Sequence, residues 1–285
     1  MLKNELGAMF NYRFCKNIAM KDKLLNILKS SKLDLTKLYL IPEGGSELQK
    51  STFEISPKDF LRFAKQDLKE GNQRGFINSL TNSKRAIDCQ VDNALESLGI
   101  KSQNFNPEFK EFVKLFDFEE DIPIKLKIIH SINLAPSLII SKTRTLRNKL
   151  EHIYQKPKLS EVKEALDVAD LFIRSVEGKL YIVLTDFFLT DEKNHCEESG
   201  WKVFTNLDFS FNSEELNFKI SLKEDRNSNK TIEDVIINAM DKEFCGLLGL
   251  MISNNDEVEV EDSLKALLKF IGHPIPSEKV SVELG

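Results

Sequence analysis

The sequence predicts an α+β chain: an antiparallel helical bundle over residues 54–179, then a smaller mixed unit of β-meander and helix over 180–285, with a mixed segment over 1–53 ahead of both. Three observations carry this reading. Helical periodicity flanked by cap residues recurs five times between Ser56 and Gly178, with no credible strand between the repeats. Short segments rich in Phe, Val, Ile and Thr, several of them alternating, begin after Gly178. The chain has 285 residues, 41% of them apolar and 30% charged, enough to fill two compact cores.

In the first segment, Asp22–Leu28 is amphipathic, and Lys37–Ile41 reads as extended and closed by Pro42 and the turn-prone Glu43-Gly44-Gly45-Ser46. Ser56-Pro57 with Asp59 has the grammar of an N-cap, a first-turn proline and a capping box. Phe60, Phe63, Ala64 and Leu68 then recur at helical spacing up to Gly71. A second helix carries Phe76, Leu80, Ile87, Val91, Ala94 and Leu98 on one stripe, with Gly99 as its C-terminal stop. Asn106-Pro107 opens a third, whose Phe109, Phe112, Val113 and Phe116 form an aromatic face.

A fourth helical region spans about 123–153. Pro136 must break or kink it, because proline lacks the N–H and clashes with the preceding turn. Ser160 is the expected cap of a fifth helix, with Val162, Ala165, Leu166, Ala169, Phe172, Ile173 and Val176 on one face before Gly178. Residues 180–189, 201–211 and 215–222 read as strands. Residues 232–237 and 244–252 fit strand or helix equally, 260–271 reads as a helix, and the tail after Pro274 as irregular.

Charge narrows the function classes. The net charge of -5 argues against a chain that coats nucleic acid by bulk positive charge, and the acidity is concentrated: residues 191–285 hold 10 basic and 20 acidic groups. The four cysteines have no short repeated spacing, so no disulfide framework and no C-x-x-C metal or redox motif is expected. No secretory signal is evident, and no apolar run reaches bilayer length, so a cytoplasmic protein without membrane partners is expected.

The stretch that carries chemistry is Ser141-Lys142-Thr143-Arg144-Thr145-Leu146-Arg147-Asn148-Lys149-Leu150-Glu151-His152-Ile153-Tyr154. Histidine exchanges a proton near neutral pH, and arginine stays charged and can fork onto two phosphate oxygens, so Arg147 and His152 suit phosphodiester chemistry. Asn148 can bond phosphate or orient a neighbour. The same residues also fit a solvated Arg147–Glu151 helical pair and a His152 that favours a helix C-terminus.

On these residues the chain resembles the HEPN superfamily of all-helical domains, over roughly residues 55–180. The likeness rests on Arg147, the polar Asn148 and His152 on the helix before the last, with the Phe60–Leu68 opening helix and Lys84-Arg85-Ala86-Ile87-Asp88 on the second. It implies a metal-independent endoribonuclease with no cofactor, of the toxin or antiviral-defence type, with Arg147, His152 and Asn148 catalytic. Lys142, Arg144, Lys149 and Tyr154 would contact the RNA substrate, and Tyr154 matches a variant in which a partner enzyme nucleotidylates that tyrosine.

Five residues on an ideal helix separate Arg147 and His152 by about 140°, so one chain supplies half a site. A homodimer, the arrangement the resemblance implies, brings two such halves into one cleft. The alternative is a non-catalytic dimerisation or partner-binding module whose acidic C-terminal third holds a regulatory protein or antitoxin.

Other residues announce less. His130 lies among isoleucines near Pro136 and reads as a core or interface histidine. His195-Cys196 lacks further ligands at zinc spacing, and the acidic run 254–262 lacks the glycine of an EF-hand.

Overall fold

The computed structural model describes residues 22–45, 47–48, 52–100, 106–118, 122–136, 142, 145, 156–196, 202–226 and 230–285. The chain has an α+β architecture of two compact units. One comprises Glu47–Val183 and is helical; the other is built from the described residues of Met1–Ser46 together with Leu184–Gly285. In chain order the helical unit is therefore an insertion into the mixed one.

The helical unit holds α2 (Pro57–Lys69), α3 (Gln73–Ser97), α4 (Pro107–Val113), α5 (Ile124–Ser131) and α6 (Leu159–Ile182). Its boundaries follow from local chemistry. Ser56 and Asp59 form a reciprocal capping box on α2, and the side chain of Asn72 accepts from Gly75 N–H at the start of α3. Gly99, in the left-handed region at φ 80°, ends α3 in a Schellman turn, with Ile100 N–H bonded to Leu95 C=O at 2.8 Å.

Asn133, at φ 58°, ends α5 in the same way, with Leu134 N–H on Ile129 C=O at 2.9 Å. The break expected at Pro136 thus comes three residues earlier, because asparagine tolerates the left-handed turn. Gly75 allows α3 to approach α2 closely: a Cβ there would lie 2.4 Å from Asp67 C=O.

Lys58–Glu177 at 2.7 Å and Lys65–Asp170 at 3.7 Å show that α6 runs antiparallel to α2, and it lies parallel to α3. Small residues on the facing surfaces, Ala64, Ala86, Ala94, Ala165 and Ala169, are all buried and let the helices pack closely around Leu61, Ile87, Val91, Phe172 and Ile173. Helix α6 differs from expectation at both ends. It begins one residue before Ser160, with Glu161 accepting from Lys158 N–H at 3.0 Å, and it continues through Gly178 to Ile182. Gly178 faces open space, so nothing forces a stop there.

The mixed unit comprises α1 (Lys23–Ser31), β1 (Leu38–Gly44), β2 (Asp186–Asp191), the short β3 (His195–Cys196) and β4 (Lys202–Val203), β5 (Asn206–Asn212), β6 (Asn217–Lys223) and β7 (Thr231–Asn238). Helices α7 (Phe244–Ile252) and α8 (Glu257–Ile271) and strand β8 (Val282–Leu284) complete it. Six strands form one sheet in the order β7-β6-β5-β2-β1-β8, antiparallel except for the β1–β8 pair. The sequence left open where the first segment packs; β1 answers this by pairing with β2, Leu40 opposite Leu189. Strand β1 passes through Pro42, which pairs with Phe187, and the register shifts between Pro42 and Gly44. The tail, expected to be irregular, supplies β8.

One sheet face is apolar: Leu38, Leu40, Phe187, Leu189, Leu207, Phe209, Phe218, Ile220 and Leu222 are buried. Phe244 of α7 meets Phe218 edge-on at 5.6 Å on this face, and Phe187 stacks on Phe209 at 4.9 Å. All nine residues of α7 are buried, so it has no polar face for periodicity to reveal. Among the described residues no helix is long and apolar enough to cross a membrane.

Candidate functional site

Of the seven site residues expected from the sequence, Lys142 is described. Arg144, Arg147, Asn148, Lys149, His152 and Tyr154 lie outside the described residues. Lys142 and Thr145 are helical, five and two residues ahead of Arg147, and the next described residue is Lys156, shortly before α6.

Lys142 and Thr145 stand beside α6 and α3. The Lys142 ammonium donates to Glu164 Oε1 at 2.7 Å, both side chains about half exposed. Together with Leu80, Glu161, Ala165 and Val168 they line a shallow groove with room for about one water molecule. Its chemistry is divided: Leu80, Ala165 and Val168 supply apolar surface, while Lys142, Thr145, Glu161 and Glu164 supply a cation, a hydroxyl and two carboxylates. Helical spacing explains the α6 contribution, since 161, 164, 165 and 168 share one face. Leu80 is the α3 residue reaching the same place. Glu161 also holds the N-terminus of α6 through Lys158 N–H.

Glu164, Leu80, Ala165 and Val168 were not legible as site residues. Leu80 and Ala165 read correctly as core positions of two helices. Nothing local in the sequence shows that Glu164 meets a lysine 22 positions earlier.

No family model, curated protein or solved structure matches this chain.

The remaining candidates have structural partners. His130 Nδ1 lies 3.2 Å from Ala135 C=O, and its ring meets Phe118 edge-on at 5.4 Å. His195 is nearly buried against the Tyr39 ring, with centroids 4.9 Å apart. In the acidic run, Asp256 caps α8 by accepting from Glu259 N–H, and Glu261 binds Lys265 and accepts from Val282 N–H. Among the described residues no group of three His, Cys, Asp or Glu side chains is arranged to hold a metal ion. Cys89 and Cys245 lack thiol activation: burial pushes both thiols up, and at Cys89 the carboxylates of Asp92, Asp59 and Asp88 add to that effect.

Proposed function

We propose that this protein is a cytoplasmic, metal-independent endoribonuclease of the HEPN type, with a toxin or antiviral-defence role, acting at a composite site across a homodimer. The observation that carries the reading is the Arg147-Asn148-His152 set, which in the chain lies between the helical Thr145 and the closing helix of a helical unit.

In this reading the 2′-hydroxyl attacks the adjacent phosphorus and gives up its proton. The 5′-oxygen leaves and takes a proton, and the products end in a 2′,3′-cyclic phosphate and a 5′-hydroxyl. His152 handles the proton, the partner copy's histidine handles the other, Arg147 offsets the charge on the phosphorane, and Asn148 bonds a phosphate oxygen. Lys142, Arg144, Lys149 and Tyr154 hold the strand. Local attraction of this kind is compatible with a net negative chain, because the excess of acids falls in residues 191–285. That excess also favours a second role for the mixed unit, the docking of a basic regulatory protein or antitoxin.

The test is incubation of purified protein with total RNA in excess EDTA, beside Arg147→Ala and His152→Ala. Cleavage by wild type alone, with cyclic-phosphate ends, supports the reading. Absence of cleavage by wild type, or equal cleavage by all three, overturns it.

A further inference from the structure

Helix α2 turns a row of cations outward. Lys58, Arg62, Lys65 and Lys69 recur at spacings of four, three and four residues. On an α-helix that spacing keeps them within about 60° of one another around the axis and makes a rail about 16 Å long, one cation per turn. All four are exposed, and the remaining exposed residue of the helix is Gln66, so none of its exposed residues is apolar. Arg62 is held at the edge of the rail by Asp59 Oδ1 at 2.7 Å and by the Phe63 ring, whose centroid lies 5.6 Å from the guanidinium carbon. Lys58 and Lys65 stand beside α6, on Glu177 at 2.7 Å and on Asp170 at 3.7 Å, and Arg174 of α6 takes the other oxygen of Asp170 at 2.9 Å. Lys69 makes no ion pair among the described residues. Asp67 is turned away to α3, where it accepts from the Asn82 amide at 2.7 Å. Five cations thus share this face with three carboxylates, Asp59, Asp170 and Glu177.

We propose that the outer face of α2 binds the sugar–phosphate backbone of a nucleic acid strand. Resting on the ribonuclease reading, the inference makes it the surface that holds RNA substrate outside the cleavage site. Phosphates can replace the carboxylates at little cost, because the cations of the three pairs are about half exposed or more and such pairs are weak in water. Each phosphate that settles on the rail releases condensed counterions, a gain that a single acidic side chain does not offer. Arg62, already oriented by Asp59 and Phe63, presents a fork that matches two phosphate oxygens. An acidic protein partner fits less well. Protein interfaces draw their affinity from buried apolar anchors, and the exposed residues of α2 supply none.

The test uses the full chain and a mixed-sequence 2′-O-methyl RNA dodecamer, which cannot be cut by 2′-hydroxyl attack, with binding read by fluorescence anisotropy across a salt series. The variant carries Arg62→Gln and Lys69→Gln together. Arg62 pairs within its own helix and Lys69 with no described residue, so no link between helices is cut and the far-UV circular dichroism is expected to stay unchanged. A control carries Lys110→Gln and Lys114→Gln, two exposed lysines at α4, and has the same net charge. The α2 variant should bind more weakly than wild type, and its plot of log affinity against log salt should be flatter by about 1.4, at about 0.7 for each lost phosphate contact to a single strand. The control should keep the wild-type slope.

No binding by wild type, or equal slopes in wild type and the α2 variant, overturns the proposal. Equal flattening in the α2 variant and the control overturns it too, since net charge alone would then explain the effect. Polyglutamate that displaces the oligonucleotide at equal charge also overturns it and assigns the face to an acidic protein. Cleavage of total RNA by a chain whose α2 variant binds as wild type sinks the rail and leaves the ribonuclease reading standing. Loss of slope in a chain that cleaves nothing does the reverse.

Discussion

Lys23 and Asp241 together stopper the β7 edge of the six-stranded sheet. The Lys23 ammonium, at the first turn of α1, donates to Ile236 C=O at 3.0 Å and to Asp241 Oδ2 at 2.9 Å, and the same Asp241 oxygen accepts from Asn238 N–H at 2.7 Å. Strand β7 is one of the two edge strands, and Ile232 and Ile236 are exposed on it at 57% and 51%. An edge with apolar side chains invites pairing with another chain, and a lysine across its outward backbone groups blocks that.

Removing this stopper should destabilise the mixed unit and promote self-association. Lys23→Met and Asp241→Ala are each expected to cost about 1–2 kcal/mol, because the pair is partly buried and charge-assisted. Urea denaturation checks the cost, and sedimentation velocity should show, in the variants alone, a concentration-dependent species larger than any the wild type forms.

Glu243 predicts a pH dependence. Its side chain is buried, and among the described residues neither carboxylate oxygen makes a hydrogen bond of good geometry. Burial pushes its carboxyl above the ordinary 4.5; Asp241 adds to this, while the nearby amides of Glu243 and Leu24 and the Lys23 ammonium oppose it. Folding therefore favours the protonated form. The stability this group contributes is fully present below about pH 4.5 and is lost as pH rises through the raised folded value. Glu243→Gln should raise the melting temperature at pH 7, and the gain should shrink as pH falls toward 4. A gain independent of pH would contradict the assignment.

Two glycines should respond in opposite directions to alanine. Gly45 sits at φ +129°, and a Cβ there would fall 1.7 Å from Oγ1 of the buried Thr185. Gly45→Ala is expected to cost roughly 2–4 kcal/mol through strain and displaced packing. Gly178 lies inside α6 facing open space, so Gly178→Ala should stabilise by about 0.5–1 kcal/mol through helix propensity. Thermal denaturation of both variants measures the contrast.

What could be read in the sequence was local chemistry. The Ser56-Asp59 capping box, the Asn106-Pro107 opening of α4 and the Gly99 stop each act over a few residues, and each stands in the structure as a hydrogen bond or a left-handed turn. What could not be read was non-local. That β1 joins β2 across the whole helical unit, or that the tail returns as β8, depends on pairings no window contains. Helix α7 was ambiguous because complete burial erases amphipathic contrast. For the site, Lys142 was legible as a cation in a basic stretch, whereas its partner Glu164 required the α6 face to be set beside it.

The insertion of the helical unit predicts that it can be removed. Gly44 of β1 pairs with Asp186 of β2, so the chain leaves and re-enters the sheet at adjacent positions. Antiparallel strands at that spacing are ordinarily joined by a two-residue turn such as Asn-Gly. Replacing residues 46–184 by a short Gly- and Asn-containing turn should therefore leave a unit that keeps the β7-β6-β5-β2-β1-β8 sheet and its apolar face. Leu184 C=O accepts from the buried Asn254 amide at 2.6 Å, so a deletion that retains Leu184 is the better design. A single cooperative urea transition with dispersed amide resonances is the expected result. A molten product, with secondary structure but no dispersion, would mean that the mixed unit depends on the helical one for its packing.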